Sequence, residues 1–177
     1  MIHYIKENFF SHITRLHIVK VGKITKFKGK NIIIKGGEKI FIGDNCIIYD
    51  NSILIADKNC DSSRIVIGNN CHFNYGCYLE GMGELIIGNN TLVGPKVQII
   101  SSGHNFNDLN TLIIDQGLMK GKVKIGNNVW IGAGAIILPN VIIEDGSIIG
   151  AGAIVTKSVD ANSIMVGNPA KCINKRI

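Results

Sequence analysis

Proline is scarce, at three residues in 177, tryptophan occurs once, and charged side chains make up only 18% of the chain. No apolar run approaches the roughly 18–20 residues that span a bilayer. Lys6, Glu7 and Arg15 interrupt the N-terminal segment before a signal-peptide core forms. A membrane span and a secretory leader are therefore not expected, and the expected compartment is the cytoplasm. The five cysteines (Cys46, Cys60, Cys71, Cys77, Cys172) include no Cys-x-x-Cys pair. Such an odd, scattered set fits neither a disulfide scaffold nor a tetrahedral zinc site. Free, mostly buried thiols are the expectation. A hydrophobic content of 46% excludes intrinsic disorder. The net charge of +6 favours anionic partners without naming one.

Glycine is abundant, at twenty-one residues, and sits among many isoleucines. This pairing points to many short strands cut by tight turns rather than to a helical bundle. One phrase recurs: IFIGDN at 40–45, IVIGNN at 65–70, LIIGNN at 85–90 and VKIGNN at 123–128. A finer step lies beneath it. Ile125, Ile131, Ile137, Ile143, Ile149 and Val155 stand six residues apart, each preceded at two residues by a small or β-branched residue, from Val123 to Ala153. The same step links Ile42, Ile48 and Leu54, then Ile67, Phe73 and Leu79, then Ile87, Val93 and Ile99. Six fits neither the helical period nor a simple amphipathic strand. It fits a solenoid in which each hexapeptide supplies a short strand and a turn, three of them closing a triangular coil. The aliphatic residue points inward, and the Gly or Asn that follows takes the turn where a positive φ is cheap.

The pattern assigns residues 25–157 to the solenoid, with about six coils expected from stacking parallel strands. Residues 1–24 read as a helical cap, with Ile5, Phe9, Ile13 and Leu16 along one face. The alternative for that helix is a membrane surface, with His3, Lys6, His12 and Arg15 toward lipid headgroups. Residues 105–122 interrupt the repeat, and a loop this long in a regular solenoid is a functional candidate. Residues 158–177 read as a C-terminal extension outside the solenoid. Lys20, Lys23, Lys26, Lys28, Lys30, Lys35 and Lys39 form a basic cluster alternating with apolar residues. A solvated outer face is the plain reading, and attraction to anionic lipid or polysaccharide is the sharper one. Sparse aromatics argue against nucleic acid.

The chain carries SSGH at 101–104, WIG at 130–132, AGAIVTK at 151–157 and GNPAK at 167–171. Together they resemble the signature of the hexapeptide-repeat acyltransferases, nearest to the galactoside, maltose and polysaccharide O-acetyltransferase branch. The resemblance implies an all-β, left-handed parallel β-helix that assembles as a homotrimer. It also implies transfer of an acetyl group from acetyl-CoA to a hydroxyl of a carbohydrate acceptor, with acylation of an amino sugar or a non-sugar small molecule on the same scaffold as the alternative. Where relatives place an acidic pair against the sugar, this chain has Gly81 and Met82, with Glu80 and Glu84 nearby, which argues against a simple galactoside.

On the same resemblance His104 takes the place of the catalytic base. An imidazole, with an ordinary pKa of about 6.5, suits removal of a hydroxyl proton near neutral pH. No cysteine or serine has a second histidine beside it, so direct transfer is expected over an acyl-enzyme. Asn74 corresponds to an asparagine beside the acceptor, although it equally suits a turn. Trp130 is either a filler or an exposed wall beside His104. Gly132, Ala133, Gly150 and Ala151 correspond to the small residues that let a pantetheine arm approach the backbone. Thr156, Lys157, Pro169 and Lys171 correspond to positions near the phosphates of CoA, where a cation is physically apt. A carbonic-anhydrase-like zinc site needs three histidines. The repeats supply only His72 and His104, so no metal is expected.

Overall fold

A computed structural model describes residues 20–177. The helix expected at the N-terminus lies outside the described residues. The rest is a three-sided parallel β-solenoid, as the hexapeptide step predicts. Face A stacks Lys20–Val21, Ile40–Ile42, Ile65–Ile67, Glu84–Ile87, Lys122–Ile125 and Ile142–Ile143, and every pairing among them is parallel. Faces B and C stack the second and third strands of each coil in the same way. The fifteen aliphatic or aromatic residues named from the six-residue step are all buried, none above 4% exposed. One coil cannot bury its own apolar edge, so the interior ladder exists only because neighbours stack on it.

The solenoid extends further at both ends than the repeat phrase shows. Lys20 and Val21 pair with Phe41 and Ile42, so the first rung begins inside the segment read as a cap. The corner that follows is Gly22, Lys23 and Ile24, with Ile24 at φ 54 where the next four coils place an Asn. At the other end Ser163–Val166 continues face B in parallel with Ile148–Ile149, within the stretch read as an extension. Lys171–Lys175 then turns back antiparallel on it. Val159 and Met165 fill the interior there, after a step that departs from six.

The corner between faces A and B explains the IGNN phrase residue by residue. The second Asn takes the left-handed conformation, with φ of 55 at Asn45, 57 at Asn70, 58 at Asn90 and 54 at Asn128. The first Asn or Asp builds a ladder between coils. Asn69 Oδ1 accepts from the Asp44 N–H at 2.7 Å, Asn89 Oδ1 from Asn69 at 2.8 Å, and Asn127 Oδ1 from Asn89 at 2.8 Å. The glycine is needed for a different reason. A Cβ on Gly88 would lie 2.7 Å from the Gly126 carbonyl carbon of the next coil. Gly88→Ala is therefore expected to cost about 1–3 kcal/mol through overpacking, whereas Asn128→Gly stays close to neutral because φ is preserved. Urea midpoints measure both. A Gly88→Ala protein as stable as the parent would remove close stacking as the cause.

Candidate active site

The interruption after the fourth coil is an ordered hairpin. Ser102–His104 pairs antiparallel with Leu118–Lys120, setting His104 opposite Leu118. Buried Ser101 anchors its base at the corner between faces C and A. Its hydroxyl donates to the Glu80 carbonyl at 2.8 Å and accepts from the Gly83 N–H at 3.0 Å. Its carbonyl accepts from the Gly121 N–H at 2.7 Å, so the coil resumes as though nothing were inserted. Beyond the strands, Asp108 and Gln116 hold the tip. Thr111 Oγ1 donates to Asp108 Oδ2 at 2.6 Å, and Gln116 Nε2 donates to the carbonyls of Asp108 and Thr111, each at 2.8 Å. The tip is ordered yet apolar outside: Phe106, Leu109, Leu112, Ile113 and Ile114 are all exposed.

Two further contacts fix this hairpin, and neither has a sequence signal. Lys120 Nζ lies 2.9 Å from Cys60 Sγ, in the loop above. Asn140 Nδ2 approaches Met119 Sδ at 3.8 Å from the coil below. Hydrogen bonds from Lys120 and Ser62 bring the Cys60 thiol down to about 7, whereas burial pushes the Cys77 thiol up to about 12. Cys60 is therefore expected to gain reactivity toward iodoacetamide as pH rises through about 7, because only the thiolate attacks. Cys77 stays silent over the same range, and mass spectrometry of tryptic peptides distinguishes the two. Equal labelling of both would contradict the Cys60–Lys120 contact. All five cysteines are free, and Cys46, Cys71 and Cys77 are buried.

The named residues divide between two corners. His104 is exposed at the C–A corner, and Thr156 and Lys157 are exposed at the same corner where the sixth coil ends. Asn74, Gly132 and Gly150 stand in register at the B–C corner with Ala133 and Ala151 beside them, and Pro169 lies in the turn below. Backbone bonds bind this column, from the Gly134 N–H to the Pro95 carbonyl and from the Gly152 N–H to the Ala133 carbonyl, both at 2.8 Å. Gly132 and Gly150 are explained by stacking, since a Cβ on either would lie within 2.8 Å of the next coil. Ala133 and Ala151 are exposed, so they are the small side chains left to meet a ligand. A Cβ on Gly134 or Gly152 would meet nothing within 4 Å, and the corner is open enough for a narrow chain to lie along it. Lys171 begins the antiparallel strand paired with Val166, at the lower end of this column.

Trp130 lies on face B, 53% exposed, between Leu92 and Ile148 in register. Face B is opposite the C–A corner of the prism, so within one chain the indole does not stand beside His104. Neither does Asn74, which holds the Tyr75 N–H through its own Oδ1 at 2.8 Å. Of the nearby acids, Glu84 is occupied by Arg64 and, at 2.6 Å, by Lys122. Glu80 is buried on face C beside the base of the hairpin, and its Oε1 has no hydrogen-bond partner among the described residues. Among those residues no cluster of three or more metal-ligating side chains occurs, and no helix is long and apolar enough to cross a membrane.

Residues 122–157 match the family described as bacterial transferase hexapeptide (six repeats). Galactoside O-acetyltransferase of Escherichia coli K12 is 36% identical over 113 residues, covering 64% of this chain and 55% of that protein. The chain spans little more than half the length of several curated relatives that it matches. Among solved structures, a maltose O-acetyltransferase from Clostridium difficile 630 superposes with a TM-score of 0.58 at 32% identity, covering 88% of this chain and 70% of that one. AntD, an N-acyltransferase from Bacillus cereus whose mutant was crystallised with dTDP and coenzyme A, gives 0.73 at 30% identity over 89% and 84%. With the stacked hexapeptide coils, the hairpin bearing His104 and the small-residue corner already in place, these likenesses show that the chain belongs to the hexapeptide-repeat acyltransferase superfamily.

Proposed function

We propose that this protein is an acetyltransferase that moves an acetyl group from acetyl-CoA directly to a sugar hydroxyl. The acceptor belongs to a bacterial surface polysaccharide or its precursor, and the reaction takes place in the cytoplasm. The observation that carries the reading is the division of the site residues between opposite ends of face C. His104, Thr156 and Lys157 mark one end, and Asn74, Ala133, Ala151 and Pro169 mark the other. The outward column between them is apolar apart from Gln98: Ile33, Ile53, Tyr78, Gln98, Ile136 and Ile154 in register. Covered by a second copy, such a face brings the C–A corner of one subunit to the B–C corner of the next. Three-fold closure repeats that junction, and the apolar hairpin tip of each subunit packs on its neighbour.

In this assembly the open B–C corner takes the pantetheine arm, with Lys171 and the neighbour's Lys157 toward the phosphates. His104 removes the acceptor hydroxyl proton as that oxygen attacks the thioester carbonyl, and the thiolate of CoA leaves. Asn74 and Trp130 hold the acceptor. Lys157→Ala and Lys171→Ala are each expected to raise KM for acetyl-CoA, with a loss that shrinks at high salt because exposed charges are screened. Unchanged KM in both would place the donor elsewhere. Labelled acetyl-CoA offered with free sugars, nucleotide sugars and capsular oligosaccharides tests the acceptor class, and turnover with none of them would overturn it. The likeness to AntD favours a second reading, acylation of a sugar amine, which the same screen resolves if amino sugars are included.

A further inference from the structure

The charge of this protein is concentrated at one end of the solenoid. Residues 20–39 hold seven lysines against one acidic residue, Glu38, and this alone equals the net charge of +6 of the whole chain. The remaining residues cancel to zero. The fold turns that sequence cluster into a closed belt around the first coil. Lys20 lies on face A, Lys23 at the next corner, Lys26 and Lys28 on face B, Lys30 at the B–C corner, Lys35 on face C, and Lys39 at the C–A corner. Six of the seven are exposed and Lys39 is half-buried. None belongs to a salt bridge among the described residues, where the only bridges join Glu84 to Arg64 and Lys122. Lys20 and Lys28 lean over the rings of Phe41 and Tyr49 in the second coil, at 5.2 and 5.4 Å.

We propose that this lysine belt docks the solenoid end-on against an anionic lipid surface. The shape of the belt selects that partner. A linear polyanion lies along one face or one corner of a prism and meets two or three of these lysines. A flat anionic surface approached along the solenoid axis is reached from all three faces at once, because the belt is one coil thick and lysine stems are long and flexible. Residues 40–177 sum to −1, and the far end has only Lys171, Lys175 and Arg176 against the seven lysines of the belt, so the belt end is the more strongly attracted and the molecule stands upright on it. A reaction on a lipid-linked acceptor would be served by that posture, but the docking itself requires neither donor nor acceptor.

The test is co-sedimentation of the full chain with phosphatidylcholine vesicles containing phosphatidylglycerol, compared with pure phosphatidylcholine. Binding is expected only on the anionic vesicles and is expected to disappear at high salt. At about 1 kcal/mol per lysine, replacing Lys23, Lys26 and Lys35 together by Gln weakens partitioning about a hundredfold. A control with Lys58, Lys96 and Lys124 replaced by Gln loses far less. All six side chains are exposed, and circular dichroism checks that both variants keep the fold. Belt and control variants that bind alike would overturn the proposal. Tighter belt-dependent binding to soluble dextran sulfate than to anionic vesicles would overturn it in favour of a polymer. Either failure leaves the acetyl-transfer reading intact, because that reading is measured by turnover.

Discussion

His104→Ala is expected to lower kcat by about a hundredfold or more while leaving the affinity for CoA nearly unchanged, as loss of a general base does. The structure makes this substitution unusually clean. His104 is exposed at the far end of a short strand, and its imidazole has no hydrogen-bond partner among the described residues. The hairpin is held instead by Ser101 at its base, by backbone pairing with Leu118–Lys120 and by the Asp108–Gln116 network at its tip. Removing the imidazole therefore takes away a proton acceptor without loosening the segment that carried it. Steady-state kinetics together with a thermal melt checks both halves. A variant with an unchanged melt and a tenth of the parental kcat would remove His104 from the chemistry.

Mixing two inactive chains is expected to restore activity. One chain carries His104→Ala. The other carries Ala133→Trp, which fills the open B–C corner where an exposed short side chain leaves room for a larger one. Within a homotrimer of either variant every junction is defective. In a mixed trimer about one junction in three joins an intact C–A corner to an intact B–C corner. Activity should therefore rise from background toward about a third of that of the parent in isolated mixed trimers. Hetero-trimers that form and stay inactive would show that each chain holds a complete site of its own.

The repeat was legible because its signal is geometric. A residue every six positions must be apolar if it lines a prism, and fifteen such residues line it. The ends were less legible because their corners use other residues. Ile24 stands where Asn would announce a turn, and Val159 and Met165 arrive out of step. The division of labour within IGNN was also hidden. Glycine and asparagine both suit a positive φ, and only the stacked coils show that glycine is there for the close approach. For His104 the period gave the place, at the last rung before the interruption, whereas its chemistry came from resemblance. The Cys60–Lys120 contact had no signal at all, because it joins a loop to a hairpin strand, both outside the repeat and sixty positions apart in the chain.

The backbone column at the B–C corner acts as a ruler with fixed graduations. Strands in a sheet lie about 4.8 Å apart, so groups on successive coils are spaced in whole multiples of that distance. Asn74 and Ala133 belong to the third and fifth coils, two graduations apart, and Ala151 is one graduation beyond. The separation of Asn74 from Ala133 and Ala151 along the axis is therefore set by the backbone and not by the side chains around it. It alters only by the gain or loss of an entire coil. Fine adjustment falls to the side chains at each mark and to the hairpin, while the scaffold supplies a coarse scale that substitutions on the faces leave unchanged.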